Sequence, residues 1–169
     1  MELEFSIEKN LEVLLELNET VHSKHCKIHP DVFAPYDKER FRPWFEVFLN
    51  KQQTSCVFVK LDGIYIGYAL LIHKKRKPNN PFLHSTYEVL HVDQMSIKAA
   101  YQNQGIGEQL IDFIRQLAVQ KGIPKIQLDV WNDNAQAKHF YAKKGFQTIR
   151  EIMEIRIDPE EEDASLSGH

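Results

Sequence analysis

The stretch Tyr101–Gly107, Tyr-Gln-Asn-Gln-Gly-Ile-Gly, has the composition of a ligand-binding turn. It follows a β-prone apolar segment at 87–97 and precedes an amphipathic segment at 108–121. Glycines at a strand-to-helix turn let backbone N–H groups approach a ligand closely, and the positive end of the helix dipole favours negative charge. The spacing therefore predicts a site for a diphosphate.

The common nucleotide motifs do not match this turn. A dinucleotide fingerprint needs three glycines and an acidic residue about 20 residues later. Only Gly105 and Gly107 are present, and Asp129, at that offset, falls within a predicted strand. The Gly-Lys-Ser/Thr ending of a Walker A loop is absent. The alternative is a turn whose glycines serve tight packing alone.

A second set of residues lies on a predicted helix closed by Gly145. Asn134, Ala137 and Tyr141 follow i, i+3, i+7 spacing, so they share one helix face. Asn134 can cap the helix, and the small Ala137 lets a ligand lie close to the first turn. The Tyr141 hydroxyl is a hydrogen-bond donor. The alternative for Tyr141 is packing of the helix against the sheet.

Candidate acid–base groups lie on the strand that enters the glycine turn. His91 and Asp93 are two residues apart, so they point to the same face if the strand is regular. Glu88 points to the other face unless a bulge intervenes. The unperturbed pKa of histidine, near 6.5, suits His91 to proton transfer. The alternative is a core histidine whose hydrogen bonds are satisfied by a neighbour.

These residues require a particular order of elements, β-α-α-β-β-β-α-β-α-β. Ser6 can cap the first helix and Asp37 the second, and Asp62-Gly63 is a strong hairpin signal. A central hairpin followed by strand–helix–strand units implies a mixed sheet with helices on its faces. The predicted strands are 2–7, 54–61, 64–73, 87–97, 126–130 and 146–157, and the helices are 11–25, 37–48, 108–121 and 134–144.

The two motifs together resemble the GNAT superfamily of N-acetyltransferases. They read Gln102-x-x-Gly105-x-Gly107 and Asn134-x-x-Ala137-x-x-Phe140-Tyr141-x-x-x-Gly145-Phe146. The resemblance extends from about residue 87 to 157. It implies an α/β GNAT-like fold, with a mostly antiparallel central sheet splayed at the acetyl-CoA strand and helices on both faces. It also implies a single N-acetyltransferase domain over residues 1–157 and acetyl-CoA as acyl donor.

The resemblance further assigns roles. A bulge in the strand before the turn would splay it, and backbone groups of Met95, Ser96 and Ile97 would pair with the pantetheine arm and acetyl carbonyl. Asn134 would contact the pantetheine, with Ala137 close by, and Tyr141 would stand near the thiol. The backbone N–H groups implied to hold the pyrophosphate are those of Gln102, Asn103, Gln104, Gly105, Ile106 and Gly107.

Acetyl transfer to an amine requires a deprotonated amine, a stabilised oxyanion and a protonated leaving thiolate. Tyr141 is the candidate for the last role, and His91, Asp93 and Glu88 are candidates for the base. A water relay or an already neutral amine would remove the need for a base. Cys26 and Cys56 lie outside the motifs, which favours direct attack in a ternary complex over an acyl-enzyme.

Two other functions stay open: a non-catalytic acyl-CoA-binding or regulatory module on the same fold, and an acyltransferase that uses a longer acyl-CoA. The acceptor amine is not readable; small amines, amino acids, antibiotics and protein N-termini or lysines are all candidates. A net charge of -3 leans slightly towards cationic acceptors and argues against nucleic-acid binding.

The remaining features are those of an ordinary globular chain of 169 residues. Two cysteines make no disulfide framework, the N-terminus lacks a secretory signal, and no apolar run approaches a membrane span of about 20 residues. We therefore expect a cytoplasmic location, no membrane partner, and a homodimer as one possible state. The acidic and polar tail, 158–169, is expected to be disordered.

Three clusters have weaker signals. His22, His25, Cys26 and His29 share a helical face, for which a metal site is the minor interpretation and a polar helix end running into a loop the usual one; no metal is expected. The GNAT resemblance implies that this region helps to form the acceptor pocket. The basic run 74–77 is expected to be a solvated loop. An aromatic-rich set is expected to be mainly core, with some members lining the acceptor site: Phe33, Tyr36, Phe41, Trp44, Phe45 and Phe48.

Overall fold

A computed structural model of the chain describes residues 2–76 and 87–157. The chain divides into two compact units, Met1–Trp131 and Asn132–His169. The second unit contains one helix, α4 (Ala135–Lys143), within its described part. The first contains β1 (Leu3–Ile7), α1 (Leu11–Ile28), α2 (Lys38–Asn50), β2 (Thr54–Leu61), β3 (Ile64–Arg76), β4 (Tyr87–Ile97), α3 (Ile106–Gln120) and β5 (Ile126–Leu128).

The first unit is built on a five-stranded mixed sheet of order β1-β2-β3-β4-β5. All neighbours are antiparallel except β4 and β5, which are parallel. Asp62 and Gly63 have φ angles of 49° and 79°, the left-handed pair that a tight hairpin turn requires. The mixed α/β architecture predicted from the sequence is thereby confirmed.

Helices cover both faces of this sheet. On one side, which we call the α1 face, Phe58, Tyr68 and Leu70 pack in a buried cluster with Leu14 of α1 and Phe45 of α2. On the other side, the α3 face, Phe5 of β1 stacks on Phe113 of α3, with ring centroids 5.4 Å apart. Leu110, Ile111 and Ile114 of α3 are fully buried. The apolar stripe predicted for this helix therefore forms its core contact.

Strand β4 has an irregularity that shapes everything beyond it. Leu71 pairs with Val92 and Leu70 with Gln94, so Asp93 is an extra residue without a partner on β3. Strand β5 pairs with β4 only from Leu90 to Val92. Beyond that point, among the residues that the structure describes, no strand lies beside β4 on its β5 side. The bulge that the family resemblance implies is therefore present, and the early end of β5 leaves the last residues of β4 without a described strand on that side.

Gly67 of β3 permits a close approach at the end of β4. A Cβ atom there would lie 2.5 Å from Ile97 Cδ1 and 2.6 Å from the Ser96 carbonyl oxygen. Any side chain would therefore push β3 away from the last residues of β4. A glycine inside an apolar strand is a weak signal, and the sequence pattern did not single out Gly67.

Several predicted bounds were wrong. The cap of α1 is Asn10, whose Oδ1 accepts from the Val13 N–H at 3.3 Å, because Ser6 donates to Glu8 instead. Helix α1 runs to Ile28, beyond the predicted end at residue 25. Strand β3 runs to Arg76, so most of the basic run lies in a strand because it pairs with the start of β4. The cap at Asp37 is confirmed.

The predicted strand at 146–157 is wrong, since no strand occurs there. Ile149, Ile152, Met153 and Ile155 are 78% to 93% exposed. Alternation predicts which face of a strand is apolar, but only a neighbouring strand can satisfy its backbone, and the pattern does not identify one. The predicted tail, 158–169, and the end of the basic run lie outside the described residues.

No helix in the described ranges is long and apolar enough to cross a membrane.

Candidate active site

The glycine turn leaves a row of backbone donors at the start of α3. Gly105 is the N-cap, with φ 77° and ψ 0°, and no side chain caps the helix. Asn103 is also left-handed, with φ 59°. In the described part of the chain, no hydrogen bond uses the N–H groups of residues 103–107 as donors. Unpaired N–H groups at the positive end of a 15-residue helix form a site suited to an anion.

Gln102 holds this turn against the end of β4. Its Nε2 donates to the Ile97 carbonyl at 2.7 Å, and its own N–H donates to the Ala99 carbonyl at 3.2 Å. Gln104 Nε2 likewise donates to the Ala100 carbonyl at 3.1 Å. The N–H of Gln102 is therefore already occupied, and the donors available to a ligand begin at Asn103.

The open edge of β4 adjoins this turn. Met95 and Ser96 are paired with Ala69 and Tyr68 on the β3 side, whereas their other side faces no strand among the described residues. An unpaired strand edge offers alternating N–H and C=O groups to any extended chain that carries amides. The bond from Gln102 to Ile97 makes the edge and the anion site one continuous surface.

His91 lies on the α1 face of β4, opposite Ile72, and is 8% exposed. Burial lowers the pKa of the imidazole, and the charge of Lys74 lowers it further. The Asp129 and Asp93 carboxylates oppose this shift but do not reverse it. Asp129 Oδ2 lies 3.7 Å from His91 Nε2, which is too far for a hydrogen bond. The imidazole is thus mainly neutral at neutral pH and able to accept a proton.

The other two candidate bases are placed differently. Asp93 occupies the bulge, so the alternation that predicted a shared face with His91 does not hold there. The residue that follows His91 on the α1 face is Gln94, opposite Leu70. Glu88 lies on the opposite face, as predicted for a strand that is regular from 88 to 91. It accepts from His73 Nε2 at 2.9 Å, and this bond lowers the pKa of Glu88.

Gln94 belongs to a buried polar network that sequence reasoning missed. Asn18 Nδ2 donates to Tyr68 Oη and to Gln94 Oε1, both at 2.9 Å, and the Tyr68 hydroxyl donates to Gln94 Oε1 at 3.1 Å. Asn18 is 3% exposed, and its Oδ1 has no partner. An asparagine within the apolar stripe of Leu14, Leu15 and Leu17 was the available signal, because a buried amide needs a reason.

A polar stripe continues from Asn18 along α1. His22, His25 and His29 follow at i+4, i+7 and i+11, which keeps them on nearly one face. His22 Nε2 lies 2.7 Å from the Ala34 carbonyl oxygen. Burial lowers the pKa of His25, and the neighbouring His22 and His29 contribute in the same direction. Within residues 2–76 and 87–157, no three His, Cys, Asp or Glu side chains form a group that could hold a metal.

The far end of this stripe meets an aromatic cluster. His29 stacks on Trp131 with ring centroids 4.5 Å apart and an interplanar angle of 29°. Phe33 meets the edge of Trp131 at 5.8 Å and lies 5.2 Å from His25. Trp131 remains 43% exposed. Trp131, from a distant part of the chain, thus adds an aromatic surface to the region that was expected to help form the acceptor pocket.

The second unit contains the other predicted motif. Asn134 caps α4, its Oδ1 accepting from the Ala137 N–H at 3.1 Å. The Tyr141 ring lies 5.1 Å from Phe140 and 5.5 Å from Phe146. Burial raises the pKa of Tyr141 to about 12. The hydroxyl therefore stays protonated at neutral pH and can act as a donor.

Comparison with known proteins gives consistent results. A sequence model of the Acetyltransferase (GNAT) family matches residues 18–146. An uncharacterized N-acetyltransferase in the pepI 3′ region of Lactobacillus delbrueckii subsp. lactis is 26% identical over 114 residues. That match covers 64% of this chain and 61% of the relative, so it spans about three fifths of the relative's length.

Solved structures share the fold. A Bacillus halodurans protein superposes with a TM-score of 0.78 at 19% identity, covering 93% of this chain and 99% of its own. An aminoglycoside N-acetyltransferase in complex with CoA gives a TM-score of 0.70 at 16% identity, covering 92% of this chain and 95% of its own. At these identities the likeness shows the fold alone.

Proposed function

The chain belongs to the Acetyltransferase (GNAT) family, and from that premise we propose that it transfers the acetyl group of acetyl-CoA to a primary amine. One observation carries this proposal: the open edge of β4 lies beside the turn that leads to the uncapped start of α3, since Gln102 of that turn donates to the Ile97 carbonyl. Acetyl-CoA has the complementary form, an extended amide-bearing arm that ends in a diphosphate. The arm suits the strand edge, and the diphosphate suits the N–H groups of residues 103–107.

The donor is held mainly by backbone groups in this proposal. Met95, Ser96 and Ile97 pair with the amides of the pantetheine arm, and a backbone N–H near Met95 binds the acetyl carbonyl oxygen. That N–H stabilises the oxyanion when the carbonyl carbon becomes tetrahedral. Asn134 and Ala137 are the proposed contacts of α4 with the arm, supported by their spacing on one helix face.

Transfer then proceeds by direct attack. His91 accepts a proton from the acceptor ammonium, and the neutral amine attacks the acetyl carbonyl carbon. The tetrahedral intermediate collapses with breakage of the carbon–sulfur bond, and the thiolate takes a proton from Tyr141. The attacking nitrogen releases its surplus proton to solvent, from which the Tyr141 hydroxyl is restored. The neutral imidazole of His91 and the protonated hydroxyl of Tyr141 support these two roles.

The thiols of the chain do not suit an acyl-enzyme route. Cys56 is 1% exposed, and burial raises the pKa of its thiol. Cys26 Sγ donates to the Ala34 carbonyl at 3.1 Å. A nucleophilic cysteine needs an exposed thiolate with a lowered pKa. Direct transfer in a ternary complex therefore fits the chain better.

The test is release of free CoA from acetyl-CoA across a panel of primary amines, with the acetylated product identified by mass. We expect amine-dependent CoA release that matches product formation. Protection of the protein from heat by acetyl-CoA without amine-dependent release would favour a non-catalytic acyl-CoA-binding module. If a longer acyl-CoA is turned over faster than acetyl-CoA, the transferred group is that longer acyl group and not acetyl.

The role of Tyr141 has its own test. Tyr141→Phe removes the hydroxyl and keeps the ring against Phe140 and Phe146. We expect kcat to fall by about 10²-fold, because general acid catalysis contributes about that much, with little change in acetyl-CoA affinity. An unchanged kcat would exclude Tyr141 as the acid.

A further inference from the structure

We propose, on the basis of the acetyl transfer inferred above, that the acceptor is an alkyl amine carrying a second cationic group, which binds at the aromatic cluster beside His91. The cluster consists of His25, His29, Phe33 and Trp131. The proposal rests on the path between the proton acceptor and these rings, on the exposed π surface, and on an exposed carboxylate between them.

The path is short. His91 pairs with Gln127 of β5, and Asp129, two residues further along, lies 3.7 Å from His91. Trp131 follows after two more residues and stacks on His29 at the end of α1. Even a fully extended chain would place the Cα atoms of Asp129 and Trp131 no more than about 7 Å apart. An amine that reaches His91 therefore has Asp129 and Trp131 within the length of a short alkyl chain.

The rings have the chemistry of a cation site. The indole of Trp131 is the strongest π surface for a cation, and nearly half of this side chain is open to solvent. Phe33 meets it edge-on and also contacts His25, whose lowered pKa keeps that imidazole largely neutral at neutral pH.

The charged group beside His91 on the side of these rings is the Asp129 carboxylate. Lys74, the cation that also acts on His91, lies on β3, on the other side of β4. The Asp129 side chain is 91% exposed, and its distance from His91 is too long to form a hydrogen bond. Lys24, the nearby cation that acts on His25, is exposed on α1, so water and salt screen its charge. A carboxylate next to an aromatic surface favours an ammonium over a neutral or anionic group.

The first test compares acceptors that differ only at the far end. The probes are 1,5-diaminopentane, 5-amino-1-pentanol and 5-aminopentanoate, which end in a cation, a neutral hydroxyl and an anion. We expect kcat/KM to be about 10-fold higher for the diamine than for the alcohol, and lower still for the anion. Equal use of the three probes, or preference for 2-phenylethylamine, would overturn the proposal.

The second test uses the two tryptophans of the chain as a matched pair. Trp131→Leu should raise KM for the diamine by about 10-fold, leave kcat nearly unchanged, and hardly affect the alcohol. Trp44→Leu is the control, since Trp44 is similarly exposed, at 49%, but lies on α2. Equal effects of the two variants, or equal effects on both probes, would contradict the assignment.

A third measurement does not depend on acetyl transfer. Trp44→Phe leaves Trp131 as the sole tryptophan, so its fluorescence reports directly on the cluster. We expect a saturable change in emission with 1,5-diaminopentane and none with 5-aminopentanoate. If no amine releases CoA yet this change occurs, acetyl transfer fails and the cation site stands. If amines are acetylated yet emission is unchanged, the cation site fails and acetyl transfer stands.

Discussion

The two sides of the candidate site are built from different material. In the proposed reaction, the donor side would consist of backbone groups from one continuous stretch, residues 93–107, and would depend on a bulge, an open edge and an uncapped helix. The acceptor side would consist of side chains from α1, from β4 and from the segment after β5. Local conformation sets the first, whereas packing between distant segments sets the second. Variants of the two sides should therefore change different kinetic constants.

Substitution of His91 is expected to give the largest difference between the effect on kcat and the effect on the KM for acetyl-CoA. His91→Ala should lower kcat by about 10²-fold or more, because a general base contributes about that much, while the KM for acetyl-CoA stays close to its original value. His73→Ala is the matched control, since His73 lies on the α3 face and bonds Glu88. Steady-state kinetics of both variants provide the comparison. A similar loss of kcat in both variants would contradict a specific role for the histidine on the α1 face.

Substitution of Gly67 tests the donor side by disturbing the contact between β3 and the end of β4. Gly67→Ala places a Cβ against the Ser96 carbonyl, so β4 must shift away from β3. We expect the free energy of unfolding to fall by about 1–3 kcal/mol. The KM for acetyl-CoA should increase by a larger factor than the KM for the amine. Denaturant unfolding and kinetics measure the two effects. Gly63→Ala is the comparison, because its Cβ meets no atom within 4 Å and it costs only the left-handed conformation of the hairpin turn before β3. It should lower the stability without changing the KM for acetyl-CoA.

Gly105 tests the donor side with a smaller change. A Cβ there meets nothing within 4 Å, so Gly105→Ala costs only the left-handed conformation, about 1–2 kcal/mol. We expect the KM for acetyl-CoA to rise by up to about 10-fold as the turn relaxes, with the amine KM unchanged. The inhibition constants of CoA and of dephospho-CoA should rise by the same factor. A change confined to the amine KM would contradict the division of the site.

The smallest effect is a paired shift in pH dependence. If His91 is the base, as proposed, kcat/KM should fall as pH drops through the pKa of His91, which lies below the usual value near 6.5. Asp129 raises this pKa, so Asp129→Asn should move the acidic limb to lower pH. Lys74 lowers it, so Lys74→Gln should move the limb to higher pH. If both variants keep the original limb, another group limits the rate.

The fold was largely predictable because its signals are local. The bounds of β2 and β4, the turn at Asp62-Gly63 and the cap at Asp37 follow from propensity and turn chemistry within a few residues. The glycine turn was found for the same reason. The segment 146–157 was not, because its alternation is that of a strand whereas pairing depends on another segment.

The acceptor side was less predictable, and the reason is again physical. The bulge at Asp93 shifts the alternation by one residue, so the neighbour of His91 on its face is Gln94 rather than Asp93. A bulge depends on how two strands match, which one strand does not reveal. The bonds of Gln94 with Asn18 and Tyr68 span 76 and 26 residues, and the stack of His29 on Trp131 joins segments still further apart in the chain.

The open edge of β4 has a consequence for the solubility of the purified protein. A bare strand edge is a template on which a second chain can add, and this is a common start of aggregation. A bound donor would occupy that template and act as a removable cap. We therefore expect the protein to stay dispersed during storage and concentration when CoA is saturating, and to associate slowly without it. The cellular supply of the donor would then protect newly made protein as well as feed its reaction.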